Sequence, residues 1–386
     1  MIKLACLLCI AFTVAQGRRH EDFSHQGDSE DQADPKAISL IPNSPRFLHR
    51  RATTVLYEDF SSGHINPSRW HPEVSALGTS PYHMEMWTPD PKNCYVKNGV
   101  LYLKPTLTED HFGNNFLHNG HLNMASEWGT CTYAQQYCTA HGWNLHEQGY
   151  KIRPIMSCQL NSNVHIKYGK VEVVAQLSMG DWLQSAIWMM PITPYVYGEW
   201  PRTGEIDIVE AMGNRHQTDQ SGKTRSNDVA FSHIHYGASV DHHIAPGAEY
   251  TLPNAMFGQG FHKWWVDWTE RHIIIGVDDH TILALNTPTD GYWHNSHFPD
   301  TLQNVWANGG WNAPFDQPFF LILSNSVGST MFWDSFVNHP YAKPWSSHEG
   351  EENAMQKFWA ARHLWEPTWQ GEQAALKVRS VKMQQY

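Results

Sequence analysis

The stretch KVEVVAQL, residues 170–177, is typical of a β-strand with one buried face. Side chains alternate along a strand with a period of two, so every second residue faces the same way. The apolar residues that share a face here are Val171, Val173, Ala175 and Leu177. Similar β-rich runs occupy residues 264–268, 272–278, 281–285, 319–323 and 376–383, separated by Gly, Pro, Asn and Asp. This pattern predicts an all-β sandwich or barrel.

The remaining patterns support a single domain after residue 55. Residues 278–280 join two of the runs like a hairpin, residues 354–362 are the best helix candidate, and there is no internal repeat. The chain has 386 residues with 18 Trp, so it has either a large aromatic core or a surface that stacks on a flat apolar partner. Its net charge of −11 argues against nucleic acid, which requires a basic surface.

The first residues predict secretion. Residues 1–15 contain Lys3 and then an apolar run, Leu4 to Val14, that is too short to span a bilayer, which is typical of a signal peptide. A buried N-terminal helix is the alternative, and no later run predicts a membrane span. Residues 16–51 are acidic and poor in apolar side chains, which predicts a disordered tether or pro-segment ending at Arg50-Arg51. The folded domain is then expected at residues 52–386.

Cleavage of a signal peptide leaves four cysteines, Cys94, Cys131, Cys138 and Cys158. An even number in an oxidising compartment predicts two disulfides, for which three connectivities are possible. The short Cys131–Cys138 spacing suits one small loop, which leaves Cys94 with Cys158. A zinc site is the rival interpretation, but no cysteine pair has the spacing of a zinc finger.

The segment WPRTGEIDIVEAMGN, residues 200–214, carries three acids within a β-branched run. Glu205 and Asp207 share a face of a regular strand, whereas Glu210 points to the other face. A one-residue bulge near residues 208–209 would align all three. Adjacent carboxylates raise at least one pKa, which provides the acid and the nucleophile of a retaining glycoside hydrolase. The alternatives are an acidic patch on an edge strand or a cation site.

This segment resembles the active-site motif of glycoside hydrolase family 16, in its bulged β-1,3-glucanase branch. The resemblance extends over most of the chain after residue 55, through GDWLQSAIWMMP (180–191), FHKWWVDWTERHIIIGVDD (261–279), APFDQPFFLIL (313–323) and EPTWQGEQAALKVRSVKM (366–383). It is strongest to the invertebrate β-1,3-glucan-binding proteins and annelid coelomic cytolytic factors. The resemblance implies a concanavalin-like jelly roll of two antiparallel sheets, with a carbohydrate cleft on the concave face.

The resemblance also implies residue roles. Glu205 would be the nucleophile, Glu210 the general acid/base, and Asp207 would lie between them and hydrogen-bond to the nucleophile. His235 resembles the histidine that faces this cluster, and Trp200 resembles a platform for a glucose ring, although a lone tryptophan is often core. Three further candidates for the cleft are Trp182, Trp188 and Arg202. No metal and no cofactor are expected, and His233 and His235 by themselves are interpreted as strand histidines.

Three positions depart from the family pattern. Gln184-Ser185 stands where Trp-Pro is common, which removes an aromatic contact. Residues 324–329, SNSVGS, are more polar than the usual sequence at the floor of the cleft. Arg379 stands where many members have a calcium-binding aspartate, and a guanidinium cannot bind Ca²⁺.

Two functions follow from these features. The first is a secreted innate-immune protein that recognises β-1,3-glucan, and other microbial surface glycans, without a membrane span. The second is a retaining endo-β-1,3-glucanase, which the complete carboxylate set favours. A protein-interaction module without sugar binding is a third alternative. Four tryptophans near the C-terminus are either a second sugar-binding surface or core: Trp345, Trp359, Trp365 and Trp369.

Overall fold

Short strands dominate the structure, as the alternating pattern predicts. The computed structural model describes residues 52–192 and 195–386, and the expected signal peptide and tether, residues 1–15 and 16–51, lie outside them. The strands in the first half are β1 (Thr53–Glu58), β2 (Trp70–Pro72), β3 (Glu85–Trp87), β4 (Cys94–Lys97), β5 (Val100–Leu103), β6 (Thr106–Leu107), β7 (His121–Asn123), β8 (Thr139–His141), β9 (Tyr150–Lys151), β10 (Ile155–Ser157), β11 (Gln159–Ile166), β12 (Gly169–Gln176) and β13 (Leu183–Pro191). Those in the second half are β14 (Glu205–Met212), β15 (Gln217–Thr218), β16 (Val229–Gly237), β17 (His243–Ile244), β18 (Gly247–Thr251), β19 (His262–Trp268), β20 (His272–Val277), β21 (His280–Asn286), β22 (Phe319–Val327), β23 (Val337–Asn338) and β24 (Leu376–Gln385).

The helices are short and lie between the strands. They are α1 (Thr108–Phe112), α2 (Phe116–Asn119), α3 (Met124–Trp128), α4 (Gly291–Asn295), α5 (Glu351–Ala360) and α6 (Arg362–Trp365). Single 3₁₀ turns occupy Gln135–Tyr137, Val240–His242, Phe257–Gln259, Glu366–Thr368 and Gly371–Ala374. Within the two described ranges, no helix is long and apolar enough to cross a membrane. The helix predicted at residues 354–362 corresponds to α5, which begins three residues earlier.

Two antiparallel sheets of eight strands form the body of the protein. The back sheet has the order β21-β20-β19-β12-β24-β5-β4, with β1 also paired to β24. The front sheet has the order β17-β16-β14-β13-β22-β11-β2, with β18 also paired to β16. This arrangement confirms the predicted two-sheet sandwich, and the predicted hairpin joins β20 to β21.

The main hydrophobic core lies between these sheets. The alternation that predicted β12 is observed, since Val171, Val173 and Ala175 are fully buried. They belong to the same core as Ile206 of β14 and Leu321 of β22 in the front sheet. Because one face of each strand is committed to this core, the opposite face of the front sheet is left to carry the polar residues of the site.

A second hydrophobic core is built from residues inserted between the strands of the two large sheets. It combines Leu122 and Ile155 of two small three-stranded sheets, β7-β8-β9 and β3-β10-β6, with Phe358 of α5. Both expected disulfides are formed, one with its cysteines in the main core and one beside the second core. Cys94 pairs with Cys158 and Cys131 pairs with Cys138, so the connectivity suggested by the short spacing is the one observed.

This second core corrects the expectation for Trp182. Its side chain is completely buried and packs on Phe332 and Trp345, with ring centroids 5.5 and 5.1 Å away, so it does not line a cleft. The physical reason is local: Trp182 precedes β13 with a left-handed φ of 69°, so it leaves the alternation of that strand. The four C-terminal tryptophans also pack in this second core, so they are core residues and not a second sugar-binding surface. They are Trp345, Trp359, Trp365 and the partly buried Trp369.

Candidate functional site

A β-bulge brings the three carboxylates together. In the pairing of β14 with β13, Val209 lies opposite Ile187 and Asp207 opposite Trp188, so Ile208 is the additional residue. The pairing with β16 shifts between Asp207 and Glu210 in the same way. The bulge predicted near residues 208–209 is therefore present, and it turns Glu210 to the face that carries Glu205 and Asp207.

Glu205, at the start of β14, is hydrogen-bonded to the predicted sugar platform. The indole Nε1–H of Trp200 donates to Oε2 of Glu205 at 2.6 Å. The side chain of Trp200 is 37% exposed, so solvent reaches its ring. Its ring also lies 4.7 Å from the ring of His243, measured between centroids. The position of the indole is thus fixed at its polar edge and on one side, while part of the ring stays accessible.

Asp207 is buried and connects to a pair of histidines. Its Oδ2 lies 3.0 Å from Nε2 of His235, which stands on β16 with its side chain 20% exposed. The other ring nitrogen of His235, Nδ1, lies 2.8 Å from Nε2 of His243, and the two rings are within 8° of parallel. His235 thus faces the carboxylates, as expected, and it is hydrogen-bonded on its other side to His243.

Glu210 is bonded through both of its carboxylate oxygens. The amide Nε2–H of Gln184 donates to Oε1 at 2.9 Å. Nδ1 of His233 lies 3.3 Å from Oε2. Gln184 comes from β13 and His233 from β16, the two strands that flank β14. The residue that departs from the family pattern at position 184 therefore contacts the carboxylate expected to act as acid and base.

Burial and neighbouring charges move the pKa values of the carboxylates apart. Burial, followed by the charge of Asp207, raises the pKa of Glu205 well above its usual range. Burial and the charge of Glu210 likewise raise the pKa of Asp207. For Glu210, burial raises the pKa, but the hydrogen bond from His233 and the charges of His233 and His235 outweigh it, so the pKa is lowered.

The two histidines beside the carboxylates respond in opposite directions. Burial lowers the pKa of His233, but its hydrogen bond to Glu210 and the three negative charges outweigh burial and raise it. Burial and the charges of the other two histidines lower the pKa of His243 to about 4. The pKa values of Glu205 and Asp207 are thus raised and that of Glu210 is lowered, so the three carboxyl groups differ in how readily each holds a proton.

The other predicted cleft residues fall into different environments. Trp188, on β13, is partly exposed on the face of the three carboxylates, and its Nε1–H donates to Oγ of Ser324 at 3.1 Å. Arg202 is exposed and its Nε–H donates to the carbonyl of Ala238, which fixes the loop after β16. Trp182 lies in the second core. Arg379 lies over the ring of Phe261 at 4.0 Å, on the back sheet.

Sequence reasoning did not assign a role in the site to His233, His243 or Gln184. The His-x-His spacing of residues 233 and 235 was the available signal, because period two places both on one face of a strand. The partner strand was the missing information: Asp207 lies opposite His233 and Glu205 opposite His235 in the pairing of β14 with β16. His243 lies in the short strand β17, whose two residues are too few to show an alternating pattern, so the sequence did not predict its place in the site.

Comparisons with known proteins agree with this fold. The model of the glycosyl hydrolases family 16 matches residues 124–319. A β-1,3-glucan-binding protein of Penaeus monodon is 32% identical over 85% of this chain and 89% of its own length. Glucan endo-1,3-beta-glucosidase A1 of Niallia circulans is 33% identical over 77% of this chain, which spans 37% of that longer enzyme.

A solved structure extends the agreement in fold. SCLam, a non-specific endo-β-1,3(4)-glucanase from family GH16, aligns with a TM-score of 0.54 at 20% identity, over 92% of this chain and 98% of its own. That identity is too low to transfer activity, but the likeness confirms the jelly-roll fold. From the matched family model and the 32% identical relative, the chain belongs to the glycosyl hydrolases family 16.

Proposed function

We propose that this protein is a secreted pattern-recognition protein that binds β-1,3-glucan of microbial cell walls on its front sheet. The observation that carries the proposal is the exposed indole of Trp200, held at 2.6 Å from Glu205 on the sheet face that carries the carboxylates. The axial C–H face of a glucose ring is apolar and packs well on an electron-rich indole face. Carboxylate and imidazole groups beside that ring supply acceptors and donors for sugar hydroxyls.

The names of the relatives support glucan as the ligand. Proteins called β-1,3-glucan-binding proteins are similar to this chain in Penaeus monodon and in Tenebrio molitor. The Tenebrio protein is 27% identical over 85% of this chain, which spans 64% of it. Secretion is supported by the apolar run of residues 4–14 and by the two disulfides, which form in oxidising compartments.

A retaining endo-β-1,3-glucanase is the second candidate. The specific observation that favours it is the bulged strand with all three carboxylates, Glu205, Asp207 and Glu210, on one face. A retaining enzyme requires two carboxyl groups about 5–5.5 Å apart, one as nucleophile and one as acid and base. The two functions use the same surface, and a slow hydrolase retains its glucan for longer.

Binding and hydrolysis are separated by one pair of measurements. Purified protein is mixed with curdlan to measure pull-down, and with laminarin to measure released reducing ends. We expect wild type and Glu205→Gln both to bind curdlan, because the substitution keeps the shape of the side chain. Background release by both proteins supports recognition alone, whereas release by wild type and not by Glu205→Gln supports the glucanase. Absence of binding to curdlan, laminarin and yeast cell wall would overturn both.

A further inference from the structure

We propose that Glu210, His233 and His235 form a binding site for a divalent transition-metal ion, and that this ion and glucan compete for the front sheet. The metal site stands on its own geometry, whereas the competition rests on the proposed glucan binding. Zn²⁺ is the ion to use as a probe, because two imidazoles and one carboxylate form a known zinc ligand set.

The ligand atoms are already close together. One donor atom from each of the three residues lies within 4.8 Å of the other two. Nδ1 of His233 and Oε2 of Glu210 are 3.3 Å apart. Two ligands at about 2.1 Å from a tetrahedral ion lie about 3.4 Å from each other, so this pair needs almost no adjustment to hold Zn²⁺.

Neighbouring strands hold these side chains in place. The β14 bulge turns Glu210 toward β16, where His233 and His235 share a face. On the other side of β16, strand β18 places Gly247 opposite His233. A side chain at position 247 would overlap the imidazole of His233, so the glycine provides the space in which that ring lies.

The charge around the site favours a cation. The three carboxylates of the site contact the indole of Trp200, the amide of Gln184, the two histidines and one another. Within residues 52–192 and 195–386, none of the three forms an ion pair with a lysine or an arginine. A divalent ion would supply the positive charge that this cluster does not receive from basic side chains. Solvent reaches the ligands, since the side chains of Glu210, His233 and His235 are 20%, 28% and 20% exposed.

A second layer of hydrogen bonds supports the coordination of His235. When Nε2 of His235 binds an ion, its Nδ1–H donates to Nε2 of His243 at 2.8 Å. An outer acceptor of this kind orients most metal-binding histidines. Imidazole ligands favour Zn²⁺, Cu²⁺ and Ni²⁺ over Ca²⁺ and Mg²⁺, which prefer oxygen ligands. From the sequence alone, His233 and His235 were interpreted as strand histidines without a metal. Their position opposite the carboxylates of β14 is the reason for proposing them as metal ligands.

Calorimetry tests the metal site directly. The full chain is treated with EDTA, exchanged into chelator-free buffer at fixed pH, and titrated with zinc chloride, with magnesium chloride as the comparison ion. We expect one Zn²⁺ site and no site for Mg²⁺. His233→Asn and Glu210→Gln each lower the Zn²⁺ affinity by about tenfold or more. His121→Asn, which removes an exposed histidine paired with Glu147 on a small sheet, leaves the affinity unchanged.

Unfolding curves in EDTA identify any variant that fails to fold. If either His233→Asn or Glu210→Gln does not fold, the other variant still tests the site. Wild type that shows no Zn²⁺ binding up to millimolar metal overturns the proposal. Binding that is equal in wild type, His233→Asn and Glu210→Gln overturns it as well, because the ion then binds elsewhere.

Competition is measured with laminarihexaose, in EDTA and in saturating Zn²⁺. We expect Zn²⁺ to weaken sugar binding by wild type about tenfold or more, and to have little effect in His233→Asn, as judged by the ratio of the two affinities. Absence of sugar binding in EDTA contradicts the proposed function but not the zinc site. Sugar binding that is identical with and without Zn²⁺ overturns the competition.

Discussion

The imidazole ring of His233 lies against the backbone of Gly247, and a Cβ atom at position 247 would overlap Cδ2 of that ring. The two residues face each other in the pairing of β16 with β18. The same ring has its Nδ1 at 3.3 Å from Glu210. Because Gly247 has no side chain, the ring of His233 has room to lie where its Nδ1 contacts Glu210.

Replacing Gly247 by Ala should displace His233 without removing it. The added methyl group forces either the ring or β18 to move, and the contact with Glu210 lengthens. We expect the Zn²⁺ affinity to fall about tenfold, the scale of losses when an outer residue of a metal site is changed, as measured by calorimetry. Gly350→Ala is the matched control, because a Cβ there meets no atom within 4 Å. Unchanged Zn²⁺ affinity in Gly247→Ala would show that the position of His233 does not matter.

Substitutions of Trp200 should separate stacking from hydrogen bonding. Trp200→Ala removes the aromatic face and the N–H that bonds Glu205, and it should weaken laminarihexaose binding by about 0.5–1.5 kcal/mol or more, at least two- to twelvefold. Trp200→Phe keeps an aromatic face and loses only the N–H, so its binding should lie between those of wild type and Trp200→Ala. Calorimetric titration gives all three affinities.

The control for Trp200 is Trp265→Ala on the back sheet. Trp265 is partly exposed, and its Nε1–H donates to the carbonyl of Asp278 at 3.1 Å. It stands on β19 of the back sheet, whereas the site strands belong to the front sheet. Its loss should leave sugar binding unchanged. Equal weakening by Trp200→Ala and Trp265→Ala would contradict a platform at Trp200.

Strand β14, which carries the three carboxylates, shows which features of the site could be predicted from the sequence. Period two is a local property, so it was sufficient to predict strand β14 and the shared face of Glu205 and Asp207. It placed Glu210 on the opposite face unless a bulge intervened, and the pairing of β14 with β16 shows that bulge. The side chain of Trp182 could not be placed in this way, because its direction depends on a left-handed φ and on a cavity lined by Phe332 and Trp345, more than a hundred residues away.

The contacts of His233 and His235 could not be predicted from the sequence either. Their face on β16 follows from alternation, but their partners follow from the register of β16 against β14, which no residue in either strand specifies alone. The contact of Gln184 with Glu210 also depends on the register of β13 against the bulged strand. Composition indicated an aromatic-rich protein, and only tertiary packing separated core tryptophans such as Trp182 from exposed ones such as Trp200.

Removal of the two disulfides should have unequal effects on stability. Cys94 and Cys158 are 64 residues apart, and Cys131 and Cys138 are 7 apart. A longer closed loop restricts the unfolded chain more, so the first bridge should contribute about 4 kcal/mol and the second about 2–3 kcal/mol. Urea unfolding of Cys94→Ala/Cys158→Ala and of Cys131→Ala/Cys138→Ala measures these losses. A larger loss from the short loop would indicate that native packing, and not chain entropy, dominates.

The ion pairs of Glu249 should make stability depend on pH in the acid range. Glu249 lies on β18, two residues after Gly247, and Oε2 of its carboxylate is 2.5 Å from Nη1 of Arg225, while Lys223 contacts the other oxygen. Burial raises the pKa of Glu249, but the bonds from Lys223 and Arg225 outweigh it and lower the pKa below 4.5. Its contribution is thus present above the unfolded value and lost as the pH falls through the lower folded value.

Glu249→Gln should therefore lose stability relative to wild type at pH 7, and the difference should shrink as the pH falls below about 4.5. Thermal unfolding of both proteins between pH 7 and pH 3 measures the difference. Asp241→Asn removes an exposed carboxylate that makes no ion pair within the described ranges, so it controls for net charge alone. A difference between Glu249→Gln and wild type that stays constant over this range would mean that Glu249 stabilises β18 through packing, because a charge interaction must vanish when the carboxylate is protonated.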